Sequence, residues 1–207
     1  MKTDAAFDRV LDRYLARIDE EKNGPRPEGR TRDDLLLPVG EEAAWFLHAL
    51  AVSRGAKCIV ELGTSYGFST LFFADAARRT GGHVHSFDVA AYKQDHARAQ
   101  LAEAGLDGFV TFHTGDAVEL LKGFAEPIDF VLLDIWKDLY VPCLDAFFPK
   151  LADQAVIAAD NIIHPASARA AGELYRTAVR AKPGIQTVLL PVGQGIELSA
   201  LWRSPPG

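Results

Sequence analysis

The stretch VLLDIWKDLY, Val131–Tyr140, carries an apolar run straight into Asp134 and then into the Trp136-Lys137 pair. Such a run reads as a buried strand that ends at the aspartate. The pattern recurs in AVIAADN, Ala155–Asn161, where a second apolar run stops on Asp160 and Asn161. In an open parallel sheet, residues just beyond the carboxyl ends of neighbouring strands converge on one crevice, so Asp134, Asp160 and Asn161 are expected to meet there. Three oxygen ligands at one point suit a hard divalent cation.

Outward from this strand the chain alternates. Strands are predicted at Cys58–Leu62, His83–Asp88, Val110–Thr114, Ile128–Asp134 and Ala155–Asp160. Helices are predicted at Glu41–Ser53, Phe68–Arg79, Tyr92–Ala104, Ala117–Lys122, Leu139–Lys150 and Ser167–Ala181. Repeated strand-helix alternation of this kind builds an α/β fold, a mostly parallel sheet with helices on both faces. Gln186–Leu190, the turn VGQG and Ile196–Trp202 are joined too closely for a crossover helix, so this last pair is expected to be antiparallel. At the other end, Phe7, Val10, Leu11, Tyr14, Leu15 and Ile18 recur at helical spacing and form one apolar stripe. That stripe must dock on the main domain or on a second copy in a homodimer, and the sequence leaves both open. NGPRPEGR, Asn23–Arg30, reads as a flexible connection, and the charged Arg32, Asp33 and Asp34 as a solvated face. The expected organisation is an N-terminal helix and connection over 1–34 and one domain over 35–207.

With 207 residues, 48% hydrophobic and 24% charged, the chain can bury one sizeable core. The formal net charge of -6 argues against a protein held mainly by nucleic-acid phosphates. No apolar run reaches membrane-spanning length and the N-terminus lacks a signal core, so a cytoplasmic protein is expected. The two cysteines, Cys58 and Cys143, offer neither a disulfide framework nor a thiolate metal site and read as core residues. His83 and His85 alternate onto one strand face, and with no third ligand apparent they read as structural.

VELGTSYGFST, Val60–Thr70, follows the first strand and opens a helix, so its backbone amides are placed to meet a ligand. Gly63 and Gly67 permit the tight turn, at a Gly-x-x-x-Gly spacing that differs from the dinucleotide fingerprint. A carboxylate at Glu61 suits a cationic ligand better than a pyrophosphate. Asp88 closes the second strand where an acid binds ribose hydroxyls in nucleotide folds, and Gly115–Ala117 closes the third.

VELGTSYGFS followed by FD, GDA, LLDIWKDLYVP and ADNIIHP resembles the class I S-adenosylmethionine-dependent methyltransferases, in particular the cation-dependent catechol and caffeoyl-CoA O-methyltransferases, over about Leu35–Arg203. The resemblance implies a Rossmann-like seven-stranded sheet in the order 3-2-1-4-5-7-6 with strand 7 antiparallel. It implies that Glu61, Gly63, Gly67 and Ser69, with Thr64 and Ser65 in the same turn, line the methionine part of S-adenosylmethionine. Asp88 would hold the ribose, Asp116 and Ala117 would flank adenine, and Asp134 would border the cofactor as well as the metal. Asp134, Asp160 and Asn161 match the ligands of Mg2+ or another divalent cation. Lys137 matches the general base, whose ammonium form a neighbouring cation disfavours. Trp136 and Pro165 match walls of the acceptor pocket. His164, between Asn161 and the next helix, reads either as a substrate contact or as hydrogen-bonded loop packing. Tyr140 is expected only to support the loop. The chain departs from the catechol enzymes at Val188, where they carry a glutamate, and at Gln194, where relatives often have aspartate.

The implied activity is magnesium-dependent methylation of a small catechol-like acceptor with vicinal oxygens. A transfer-RNA hydroxyuridine methyltransferase and a catalytically silent S-adenosylmethionine-binding protein are the alternatives. Whether Leu35–Val39 closes over the pocket is open at this stage.

Overall fold

The computed structural model describes residues 4–25, 29 and 31–202. Its seven-stranded sheet has the order β3-β2-β1-β4-β5-β7-β6, built from β1 Cys58–Leu62, β2 His83–Asp88, β3 Val110–Thr114, β4 Ile128–Leu133, β5 Leu151–Ala159, β6 Ile185–Leu190 and β7 Ile196–Leu201. Neighbours pair in parallel except β7, which runs antiparallel to both β5 and β6. This is the Rossmann-like topology the sequence resemblance implies. Of the connection Asn23–Arg30, Asn23 closes the first helix and residues 26–28 and 30 lie outside the described residues.

Seven helices among the described residues cover the sheet: α1 Ala5–Asn23, α2 Glu41–Arg54, α3 Phe68–Thr80, α4 Ala91–Glu103, α5 Ala117–Gly123, α6 Tyr140–Phe147 and α7 Arg169–Arg180. Because successive strand residues point to opposite faces, the central strands feed two cores at once. Val84, Phe130 and Leu132 pack with Phe7, Leu47 and Phe72 from α1, α2 and α3. Val60, Val131 and Ile157 pack on the other side with Leu121, Leu144 and Tyr175 from α5, α6 and α7.

The apolar stripe of α1 docks on its own chain. Phe7, Val10, Leu11 and Tyr14 are buried, and the Phe7 ring meets Trp45 of α2 at 5.7 Å and Phe72 of α3 at 5.5 Å. Two boundaries differ from the sequence reading by more than two residues. β5 begins at Leu151 rather than Ala155, because Leu151 pairs with Ile128 across a register shift while the polar Asp153 and Gln154 stay outside. α6 stops at Phe147, short of Lys150: Pro149 has no N–H to donate, so the chain closes as a 3-10 turn over Phe148–Lys150.

The register levels the strand ends. Leu62 pairs with Leu133, and Leu133 with Ala159, so Gly63, Asp134 and Asp160 emerge side by side. Gly63 has φ 105, and a Cβ there would lie 2.0 Å from the Asp134 carbonyl oxygen. Only glycine lets these two backbones touch. Gly63→Ala is therefore expected to lower stability by about 1–3 kcal/mol from backbone strain alone, with the steric clash added. A urea midpoint equal to wild type would show that the strand ends can move apart at no cost.

Candidate active site

The turn after β1 is fastened from three sides. Ser65 takes φ 45 and its N–H donates to Asp88 Oδ2 at 2.8 Å, while the Ala90 N–H donates to Asp88 Oδ1 at 2.9 Å. The Ser65 hydroxyl donates to the Leu36 carbonyl at 3.0 Å, and the Tyr14 hydroxyl to the Tyr66 carbonyl at 2.6 Å. Gly67, at φ 91, admits Ala97 of α4, whose Cβ would lie 2.5 Å from an added Cβ.

Beneath the turn Glu61 is fully buried. It accepts hydrogen bonds from the hydroxyls of Ser69 and Thr70 at 2.6 Å each and of Ser86 at 2.5 Å. Burial dominates these contacts and pushes the Glu61 carboxyl up to about 7, with the Asp134 charge adding to the rise.

A cleft of about 460 Å³ opens above. It is lined by Gly63, Thr64, Ser65, Ser69, Asp88, Asp116, Ala117, Asp134, Trp136, Lys137, Asn161 and Pro165 among the residues the sequence singles out. Glu61, Gly67, Asp160 and His164 do not line it: the first two support the turn, Asp160 is buried next to Asn161, and His164 is exposed with its N–H donating to the Gln194 carbonyl at 2.9 Å. The Asp116 carboxylate caps α5, accepting from Val118 and Glu119 N–H at 2.8 and 3.1 Å.

Phe68, Phe87 and Val89 line the cleft without having been singled out, as does Lys93, which pairs with Asp33 at 3.0 Å, while Leu36 lines it from within the Leu35–Val39 segment. Val89 had a signal, an apolar residue directly after a strand-ending acid. Phe68 and Phe87 read as core from their spacing, and Leu36 reaches the cleft only through tertiary folding.

At the other end, Lys137 Nζ donates to Asn161 Oδ1 at 2.8 Å and to the Tyr140 hydroxyl, and stands 3.8 Å from Asp134 Oδ1. The Tyr140 hydroxyl in turn donates to the Asp160 carbonyl at 3.0 Å. Tyr140 is fully buried, so it holds the ammonium rather than merely bracing the loop. Asp160 Oδ2 accepts from Asn161 Nδ2 at 3.2 Å, but Asp160 Oδ1 is buried without a partner among the described residues. Burial raises both the Asp134 and the Asp160 carboxyl, and the charge of Asp134 raises Asp160 further. Two desolvated acids and an amide oxygen fit a divalent cation, which would neutralise the pair and engage the lone oxygen.

A glycine turn and an acid at successive strand ends, above a sheet with one antiparallel strand, define the class I methyltransferase fold. Residues 60–162, just under half of the chain, match the family described as methyltransferase domain. A probable O-methyltransferase of Mycobacterium tuberculosis is 29% identical over 162 residues, covering 73% of this chain and 66% of that one. A catechol O-methyltransferase of Niastella koreensis is 31% identical over 134 residues, covering 61% and 59%. The chain thus spans somewhat less than two thirds of the length of these two relatives. The crystal structure of the O-methyltransferase TomG from Streptomyces achromogenes, solved with S-adenosylmethionine, shares the fold with a TM-score of 0.76 at 22% identity, over 98% of this chain and 92% of that one. No helix among the described residues is long and apolar enough to cross a membrane.

An acid held at a higher pKa in the fold than in the unfolded chain binds its proton more tightly when folded. For Glu61 the extra stability is complete below 4.5 and is lost as pH rises through about 7. In the ligand-free protein, wild type minus Glu61→Gln should lose roughly 3 kcal/mol of unfolding free energy over this window. Urea unfolding of both proteins at several pH values measures it, and parallel curves would show that the three hydroxyl donors keep Glu61 ionised.

Proposed function

We propose that this protein is a magnesium-dependent O-methyltransferase that uses S-adenosylmethionine to methylate a hydroxyl of a small acceptor with vicinal oxygens, a catechol-like phenol. The observation that carries the reading is the buried, unpartnered Asp160 Oδ1 beside Asn161, next to a cleft that joins Asp134 and Lys137 to the glycine turn and Asp88. The names of the two relatives above, an O-methyltransferase and a catechol O-methyltransferase, support the same activity.

When bound, S-adenosylmethionine supplies an electrophilic methyl on its sulfonium, and Mg2+ supplies Lewis acidity that acidifies a hydroxyl attached to it. Asp134, Asp160 and Asn161 would hold the ion. The turn Gly63–Ser65, with Ser69, would hold the methionine end of the cofactor, Asp88 the ribose, and Asp116 and Ala117 the adenine border. Glu61 works from below, orienting Ser69 through its 2.6 Å hydrogen bond.

Lys137 is the base in this reading. Its Nζ lines the acceptor end, positioned by the oxygens of Tyr140 and Asn161, and from its neutral form it takes the proton of the acceptor hydroxyl. Trp136 and Pro165 wall the acceptor, so the hydroxyl is presented in one orientation, which is the larger part of a methyl transfer. A net charge of -6 favours a small acceptor over a nucleic acid.

The test is a panel of diphenols with labelled S-adenosylmethionine, with and without Mg2+. A methylated product is expected only with the metal, and turnover undiminished by chelator would remove the metal from the account. Lys137→Met should lower kcat by roughly 10²–10⁴-fold with cofactor affinity kept. Asp160→Asn should abolish metal-dependent turnover while calorimetry still registers S-adenosylmethionine. A Lys137→Met enzyme of wild-type kcat would take the base role away from that residue.

A further inference from the structure

The sheet face carrying β1, β2 and β3 on the α5 side holds a cluster that the reaction does not use. Cys58 opens β1, His85 sits mid-strand in β2, and Glu126 stands in the loop between α5 and β4. A sulfur, a ring nitrogen and a carboxylate oxygen from these residues all lie within 4.8 Å of one another. We propose that Cys58, His85 and Glu126 form a second cation site, built for a borderline transition-metal ion of the Zn2+ class and separate from the crevice.

The geometry is that of ligands around one ion. His85 Nε2 and Glu126 Oε1 are 3.4 Å apart, and two N or O ligands at ~2.0–2.1 Å in a tetrahedron stand about 3.3–3.4 Å apart. Thiolate, imidazole and carboxylate together match the zinc ligand set, whereas Mg2+ prefers oxygen alone. Three protein ligands leave a fourth position for water.

The surroundings prepare the ligands. His85 Nδ1 lies 3.1 Å from His113 Nε2. With the proton on Nδ1 donated to His113, Nε2 keeps its lone pair toward Glu126 and Cys58, the second-sphere arrangement that fixes a metal-binding tautomer. The His113 ring is itself stacked on Phe87, with centroids 4.4 Å apart and planes 13° from parallel, and Phe124 packs on His85 at 4.9 Å. Both imidazoles are pushed toward the neutral form by burial.

Cys58 is held as a thiol, pushed up to about 12 by burial and by the nearby charges of Glu126 and Asp129. Those two charges make the spot attractive to a cation. On ligation the thiol proton passes to solvent and the thiolate binds, so loading releases one proton.

The site ties together β1, β2 and the loop that precedes β4. It is also remote from the crevice: Cys58 begins the strand that Gly63 follows, and at strand rise that separation is roughly 16 Å.

The experiment uses the full chain, stripped with chelator and titrated with Co2+ in the presence of excess Mg2+ to occupy oxygen-only sites. A thiolate-to-cobalt charge-transfer band saturating at one equivalent, and bleached by Zn2+, is expected. Glu126→Gln, a change on an exposed loop, should weaken Co2+ binding. Cys58→Ser should erase the band. His113→Ala, which removes the partner of His85 Nδ1, should weaken binding by about 10–100-fold. The Asp160→Asn protein should give the same band and stoichiometry as wild type, so the outcome is independent of the methyltransferase reading. No band in wild type, or a titration that Glu126→Gln leaves unchanged, would overturn the proposal.

Discussion

The contact on which the rest of the site depends is backbone against backbone, where β1 and β4 end. Gly63 leaves β1 at φ 105 and lies against the Asp134 carbonyl, at a separation no side chain would allow. The Gly63 N–H donates to the Phe87 carbonyl at 2.9 Å, and the Asp134 N–H to the Leu62 carbonyl at 2.9 Å. Three adjacent strands are thereby locked at one level. Asp88, Asp134 and Asp160 each project from this level, so the distance between the two ends of the cleft is set by strand spacing rather than by loops. A site built this way inherits the rigidity of the sheet core.

Among the buried acids, those away from the cleft are neutralised by the chain itself. Asp75 is bound by Arg78 and Arg79 and by His48. Glu197 is bound by Arg176 and Arg180, with the Thr187 hydroxyl donating as well. At the cleft the pattern is different. Glu61 has three hydroxyls and no cation within hydrogen-bond reach, and Asp160 has one amide contact and a lone oxygen. Leaving a buried acid unpaired is costly to a fold. Such a cost under both ends of a cleft, which the other buried acids of the described residues do not carry, is what a ligand-binding centre requires.

The sheet was legible because parallel strands covered on both faces are written as unbroken apolar runs, and the acids that end them mark the crevice. Thus Asp88, Asp134 and Asp160 could be placed by pattern alone. Leu151–Gln154 was not legible, since Asp153 and Gln154 mask a strand start that is fixed by Leu151 against Ile128. Nor was the hold of Tyr140 on Lys137, because the chain changes there from strand end to 3-10 turn to helix and neither period applies. Glu126 reaches His85 only through the fold of the loop after α5, which leaves no mark in sequence spacing.

The N-terminal segment shows how tertiary contact completes a local motif. Its stripe announces burial, but the destination comes from shape: Phe7 packs against Trp45 and Phe72, which meet each other at 4.8 Å, and Tyr14 meets Phe68 edge-on at 5.8 Å. The polar side of α1 then reaches the glycine turn after β1. Arg17 lies over the Tyr66 ring at 4.0 Å, and Glu21 accepts the Leu36 N–H at 2.8 Å. Leu36, so held, offers its carbonyl to Ser65 and its buried side chain to the cleft. The segment around Leu36 is therefore anchored at both its backbone polar groups. Any opening of this wall must break the Glu21 and Ser65 contacts together, which couples access to the cleft with the docking of α1.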